Sequence, residues 1–272
     1  MQPWIIRDTG TIKYITLPGW EAEGVALAFS TRLGGVSQGI HESLNMGLHV
    51  EDQDELVLEN RRRLAAVFDF NLDAVVCCQQ VHGNQVAVVG EADRGRGAFR
   101  LGDEIPGCDA LVTVQPGIFL LSFYADCVPL YLFDPLQRVV ASAHCGWKGT
   151  MGRIGRHTID MMNRQFGTRP ESVWAFIGPG IGAPCFEINP DLAARVNAEF
   201  TGWHDIINRD RQDRYTWDLQ ETNARILQAA GVMSRNISIC SLCTVCQPDL
   251  FFSYRREKGL TGRMAAVLGL QY

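Results

Sequence analysis

Apolar residues in this chain gather in short, dense runs set off by turn residues. Strand-length runs rich in β-branched and aromatic residues occupy Ile12–Leu17, Val25–Ser30, Ala74–Gln79 and Gln85–Val89. A tighter block follows at Ala110–Val114, Ile118–Phe123, Pro129–Phe133 and Arg138–Ala143. Ser172–Ile177, Ile237–Cys240 and Met264–Leu268 complete the set. Gly, Pro and Asp punctuate these runs at hairpin distances. Helical periodicity is scarcer. It predicts a helix over Asp54–Phe68, with Leu56, Leu64 and Val67 apolar among charges, and another over Gly149–Phe166, with Met151, Ile154, Thr158, Met161 and Met162 on one face. Two more helices carry boundary signals: Asn189 caps a helix over Pro190–Phe200, and Asp218–Ala230 stops at Gly231. Strands that succeed one another without a helix between each pair argue against a doubly wound parallel sheet. The expected fold is α+β, with mixed β-sheets flanked by helices. No repeat, low-complexity tract or Pro/Ser-rich linker divides residues 1–272, so a single domain is expected.

Composition narrows the function. The hydrophobic fraction is 46% and the formal net charge −5, so no basic field exists to hold a nucleic-acid backbone. The run Arg61-Arg62-Arg63 lies near Glu55 and Glu59 in a helical pattern and reads as a solvated helix face. The N-terminal residues lack a basic stretch leading into an apolar core, so no signal peptide is expected. The longest apolar run, near Ile118 to Ala125, is far short of a bilayer span. Nine cysteines, an odd number lying mostly in apolar segments, point to reduced thiols in the cytoplasm.

Three segments concentrate chemistry where strands should end: Gln79 to Gly83, Ala125 to Pro129, and Ala143 to Trp147. They contribute His82, Cys127 and His144. Two imidazoles and a thiolate suit zinc, and three protein ligands leave a fourth position open for water or substrate. Dispersed ligands have no spacing signature, however. On spacing alone, two polar strand termini and a core thiol are the simpler account of the three residues.

The same segments, with others, resemble a known family. The matching stretches are Ser30 to Ser37, Ser43 to Gly47, Gln80 to Gly83, Asp109 to Thr113, Ala125 to Pro129, His144 to Gly149, Ile177 to Ile181, Pro184 to Glu187, Phe252 to Arg256 and Thr261 to Ala265. In order and over nearly the whole chain, they resemble the YfiH family, also called the laccase-domain or polyphenol-oxidase-like family. That resemblance implies a zinc-dependent purine nucleoside phosphorylase with accompanying adenosine deaminase activity, whose metal trio falls on His82, Cys127 and His144. Its partners would be a nucleoside and phosphate. The family's older name implies copper oxidation, but six histidines are too few for the several coppers of a multicopper laccase. His41, His49 and His204 lie outside the matched metal motifs, and His157 falls mid-helix as a surface residue. A lone Cu2+ entering the two-His, one-Cys site would give at most a weak oxidase side activity.

Other residues are weighed for the rest of the site. The loop Arg32 to Ser37 offers a cation and a Gly-Gly backbone able to cradle phosphate, against the simpler account of a hairpin turn. Asn45 and Gln80 are candidate substrate contacts. Asp126, beside Cys127, is a candidate general acid or base, although neighbours on a strand face opposite ways. Zinc deaminases place a glutamate two residues after the histidine; here that position is Asn84, so the proton carrier is unassigned. Cys185 sits on a loop, either near the site or as a packed thiol. Cys240, Cys243 and Cys246 look like part of an iron–sulfur run without a fourth member, and the vicinal pair Cys77-Cys78 reads as core packing. The glycines from Gly178 to Gly182 are wrongly spaced for a dinucleotide fingerprint. Two other function classes compete: a cysteine hydrolase built on a Cys127/His144 dyad, which has no need of His82, and a metal-storing or partner-binding module.

Overall fold

The computed structural model describes residues 3–203 and 205–272, so His204 lies outside the described residues. Two six-stranded sheets dominate. The first runs in the order Ile5–Asp8, Lys13–Thr16, Val25–Ser30, Met264–Leu270, Phe119–Tyr124, Val75–Cys77, antiparallel except for the last pair. The second runs Ile237–Ile239, Trp174–Ile177, Val128–Asp134, Val139–Cys145, Ala110–Thr113, Val86–Val88, with parallel pairs at both edges and antiparallel pairs within. A small three-stranded sheet joins Glu187–Ile188, Tyr215–Trp217 and Ile207–Arg209. The expected α+β class with mixed sheets is what the chain adopts.

The layers follow from strand period. In Val128–Asp134, Val128, Leu130 and Leu132 point to the helices Ile154–Phe166 and Leu219–Ala229, while Tyr131 and Phe133 point to the other sheet. In Met264–Leu270, Ala265 and Val267 face the helix Asp54–Ala66, and Met264, Ala266 and Leu268 face the seam between sheets. Helices thus cover the outside of each sheet and the two sheets pack face to face. Strands buried on both faces have no reason to alternate polar with apolar, so they appear in the sequence as unbroken apolar runs. Across the seam the Tyr131 hydroxyl donates to the Ala28 carbonyl at 2.9 Å.

Several expectations need correction. The helix foreseen over 149–166 is two helices, Trp147–Met151 and Ile154–Phe166, broken where Arg153 takes a left-handed φ of 53°. The break lets the Arg153 guanidinium reach the Glu199 carboxylate and carbonyl, each at 3.0 Å, and lie over Phe200. The strand foreseen over 74–79 shortens to Val75–Cys77, and the chain then peels away to form the loop that carries His82. The strands Ile5–Asp8 and those of the small sheet, of two to four residues, are too short to give a legible pattern. Arg61 is not on a solvated face. Helical period groups it with Val57 and Leu64 on the buried side, where it is 3% exposed and donates to the carbonyls of Met46, Gly97 and Ala98 at 2.9, 2.8 and 2.7 Å. Among the described residues no helix is long and apolar enough to cross a membrane.

Tyr131→Phe removes a single hydrogen bond across the seam and leaves the ring in place. A stability loss of about 1 kcal/mol is expected, measured by urea unfolding.

Candidate metal centre

The chain passes from the first sheet to the second through three residues, Ala125, Asp126 and Cys127, between the strands Phe119–Tyr124 and Val128–Asp134. Cys127 therefore stands at the end of the seam. His144 is the penultimate residue of Val139–Cys145 and pairs in register with Pro129, two residues beyond Cys127. His82 arrives from the first sheet on the loop after Val75–Cys77, in a left-handed conformation with φ of 60°. The ligand atoms of the three side chains all lie within 4.8 Å of one another. Glycine makes the space: a Cβ on Gly146 would stand 3.1 Å from Cys127 Sγ and 3.2 Å from His82 Cδ2.

Asp109 holds the group together. Fully buried, its Oδ1 lies 2.9 Å from His144 Nδ1 and accepts from the His82 amide at 2.8 Å, while Oδ2 accepts from the Gly83 amide at 2.7 Å. The carboxylate fixes the strained His82 turn and orients the His144 ring, leaving Nε2 for a ligand role. Burial alone would push the Cys127 thiol up, but the charge of His144 and hydrogen bonds from both imidazoles outweigh it and bring the thiol down to about 6. Burial likewise opposes protonation of His144, yet the Cys127 charge and the Asp109 hydrogen bond outweigh it and raise that imidazole. A thiolate prepared at neutral pH, two imidazoles and a carboxylate behind one of them form a donor set that fits a zinc-class ion with one position open.

The group opens into a cavity of about 540 Å³, lined among others by His49, Arg61, Phe123, Trp147, Phe186, Tyr254 and Arg263. That is within the range of small-molecule sites. Arg255 lines it, and further positive charge comes from Arg61 and Arg263. Arg263 donates through Nη1 to the carbonyls of Thr261 and Gly262, and neither arginine has an ion pair among the described residues. Their guanidiniums lie over aromatic rings, Arg61 4.5 Å from the centre of Phe123 and Arg263 5.9 Å from Tyr254. Burial, with Arg263 and Arg61 close by, pushes His49 down to about 4, so it is neutral at pH 7.

The residues singled out from sequence divide. His82, Cys127 and His144 converge. Gln80 lines the cavity, but its amide bridges the Phe123 backbone, donating to the carbonyl and accepting from the N–H at 2.8 Å each, and so anchors the loop that carries His82. Asp126 also lines the cavity, with Oδ1 accepting from the Thr244 hydroxyl at 2.6 Å and Oδ2 from the Arg255 amide at 2.8 Å. Both its oxygens are engaged in holding the crossover. Arg32 does not line the cavity; its guanidinium donates to the Glu42 and Pro248 carbonyls and pairs with Glu257. The Gly34 and Gly35 amides, foreseen as a phosphate cradle, both donate to Ser43 Oγ. Asn45 is fully buried and ties Gly47, Asp52 and the Arg263 amide together. Cys185 lies against Cys246 at 3.3 Å, away from the ligand trio. His157 is exposed on its helix, as expected, and Cys77 and Cys78 pack into separate apolar clusters. Sequence reasoning passed over Asp109, His49, Arg61 and Arg263. An aspartate immediately ahead of an apolar strand, in a stretch that matched the family, was the one visible signal for Asp109.

Asp109→Asn keeps the shape but weakens the hold on both the turn and the ring, and zinc affinity is expected to fall about 10- to 100-fold, read by competition with a chromogenic chelator. In chelator-stripped protein the rate of Cys127 alkylation by iodoacetamide should be level above pH 7 and decline as pH drops through about 6, because the thiolate is the nucleophile. Added zinc should protect.

A family model described as multi-copper polyphenol oxidoreductase laccase matches residues 26–271. Among curated relatives, a purine nucleoside phosphorylase YlmD of Bacillus subtilis is 38% identical over 247 residues, covering 91% of this chain and 89% of its own length. A purine nucleoside phosphorylase of Deinococcus radiodurans is 40% identical over 259 residues, covering 93% of each. The crystal structure of YlmD from Geobacillus stearothermophilus superposes with a TM-score of 0.94 at 36% identity, over 99% of this chain and 100% of that one. That of a Bacillus licheniformis hypothetical protein, YfiH, gives 0.93 at 35%, over 98% and 99%. With the fold, the order of motifs and nearly the full length in common, the chain belongs to this laccase-like family of YfiH and YlmD proteins.

Proposed function

We propose that this protein is a zinc-dependent purine nucleoside phosphorylase, acting on adenosine, inosine and methylthioadenosine, that also deaminates adenosine. The observation that carries this is a three-ligand group of His82, Cys127 and His144 opening into a cavity with buried Arg61 and half-buried Arg263, neither of which has an ion pair among the described residues. Relatives named purine nucleoside phosphorylase support the substrate class. When bound, zinc would serve as a Lewis acid for a substrate oxygen. Every other task belongs to the chain. Arg61 and Arg263, not Arg32, would bind phosphate, since a desolvated guanidinium without a carboxylate partner favours an anion strongly. The aromatic walls Phe123, Phe186, Trp147 and Tyr254 offer π-faces for the purine. Neutral His49 contributes a ring nitrogen able to accept a proton or a hydrogen bond. Asp126 and Gln80 hold the two loops in place, and Asp109 holds the ligands.

The copper chemistry in the family description has a narrow footing here. Among the described residues the groups able to hold a metal are His82/Cys127/His144 and an all-cysteine group, so several imidazole-bound coppers have no place to sit. Phenol oxidation would be confined to a single copper replacing zinc. One geometric feature favours a second reading. Cys127, His144 and buried Asp109 stand in the order of a nucleophile, base and orienting carboxylate, the arrangement of a cysteine hydrolase. His82 separates the two, since a dyad has no use for it.

Adenosine and inosine incubated with and without phosphate, followed by chromatography of the free base, test the proposal. Base release that requires phosphate is expected. His82→Ala should lose one equivalent of zinc and the activity together. Full turnover by a metal-free His82→Ala variant, or base release indifferent to phosphate, would refute it. Arg263→Ala removes a charged hydrogen bond of about 1.5–3 kcal/mol. It should raise the KM for phosphate and lower kcat/KM by about 10- to 100-fold.

A further inference from the structure

Three cysteines that play no part in the site above bring their sulfurs together elsewhere. Cys185, Cys243 and Cys246 lie within 4.8 Å of one another, and Cys185 and Cys246 Sγ are 3.3 Å apart. Two segments deliver them. The turn Ala183–Cys185 carries the first, and the loop following Ile237–Ile239 carries the Cys243-x2-Cys246 pair. A bridge between Gly180 and Cys243, closed by the Thr244 amide on the Gly180 carbonyl at 3.0 Å, locks the segments together. Glycine again makes the approach possible: the Gly182 amide donates to Cys243 Sγ at 3.1 Å, and a Cβ there would stand 3.3 Å from that sulfur. Cys240, the other member of the sequence run, is fully buried in the seam between the sheets and takes no part.

We infer that Cys185, Cys243 and Cys246 form a second metal site for a thiophilic d10 cation, zinc in the first instance, with three thiolate ligands and a fourth position open to solvent. Two thiolates on one tetrahedral zinc stand about 3.8 Å apart, given Zn–S bonds of about 2.3 Å. Cys185 and Cys246 Sγ, at 3.3 Å, stand about half an ångström closer than that, and every pair of the three sulfurs lies within 4.8 Å, so rotation of the side chains suffices to seat an ion. A disulfide would join only two of the three sulfurs, whereas an ion uses all three. An N–H aimed at Cys243 supports a thiolate. Zinc with three thiolates carries one net negative charge, and two guanidiniums are tied to the same segments. Arg255 Nη1 donates to the Cys185 carbonyl at 3.1 Å, and Arg256 Nη1 to the Thr244 and Val245 carbonyls at 2.7 and 3.0 Å. Cys246 is exposed, which leaves the fourth position to water. The site also has a structural consequence. Thr244 and the Arg255 amide are the two partners of Asp126, and Phe186, next to Cys185, lines the cavity. An ion held by the cysteines braces that wall and the crossover bearing Cys127.

The test strips the reduced protein with a chelator and returns Zn2+ or Co2+ alone. Two equivalents of zinc are expected in the intact protein and one each in Cys185→Ser, Cys246→Ser and His82→Ala. Cobalt-loaded His82→Ala should show intense thiolate-to-cobalt charge transfer that is lost when Cys246→Ser is added, and the serine variants should melt earlier with zinc present. Equal zinc content in the intact protein and both serine variants overturns the assignment. So does a Cys185–Cys246 cross-linked peptide, with an intact mass short by two hydrogens, in protein isolated under reducing conditions.

Discussion

One buried carboxylate organises the functional end of this molecule. Asp109 accepts the amides of His82 and Gly83 and meets the His144 ring, while its own backbone pairs with Gln85 and His144. A fully buried charge is tolerable only when its lone pairs are satisfied, and here the partners that satisfy it are the ligand-bearing segments themselves. The stabilisation of the anion and the geometry of the centre are therefore one interaction. It joins the edge strand pair Val86–Val88 and Ala110–Thr113, the strand Val139–Cys145 and the loop from the first sheet.

The sheet sandwich supplies what the carboxylate cannot. Because the two sheets pack face to face and the chain crosses between them at Ala125 to Cys127, the end of the seam collects loops from both. Polar groups that line the resulting cavity divide into two kinds. Gln80 and Asp126 have their hydrogen-bonding atoms engaged by backbone and hydroxyl partners, and they stiffen the loops. Arg61 is buried and Arg263 half-buried, and neither has a carboxylate salt bridge among the described residues, which favours their interaction with an anionic ligand; His49 lines the cavity from a more exposed position.

Cysteine serves three purposes in one chain. Cys77, Cys78, Cys145 and Cys240 are buried, and burial pushes Cys77, Cys145 and Cys240 up, so they behave as small apolar side chains. Cys127 is brought the other way by imidazole neighbours. Cys185, Cys243 and Cys246 gather at a loop junction, where the Gly182 amide donates to Cys243 Sγ. The same residue type is thus inert, activated or clustered according to what surrounds its sulfur.

The sequence by itself determined the mixed α+β class, the central strands and the bounds of the capped helices. Those features rest on local periodicity and on caps such as Asn189 and Asp218, whose side chains do accept from Leu192 and Glu221 amides. It also singled out His82, Cys127 and His144, because rare ligand types at strand ends stand out against apolar runs. Tertiary structure alone decided the rest. Whether Arg32 or Arg61 faces the cavity depends on which carbonyls lie within reach, and those come from residues up to 216 positions away. The turn after Gln79 was legible, but not that the His82 and Gly83 amides would point at a carboxylate from another sheet. Periodicity records which face of an element is buried; it carries no record of what is packed against that face, and the chemistry of a site is set by the neighbours.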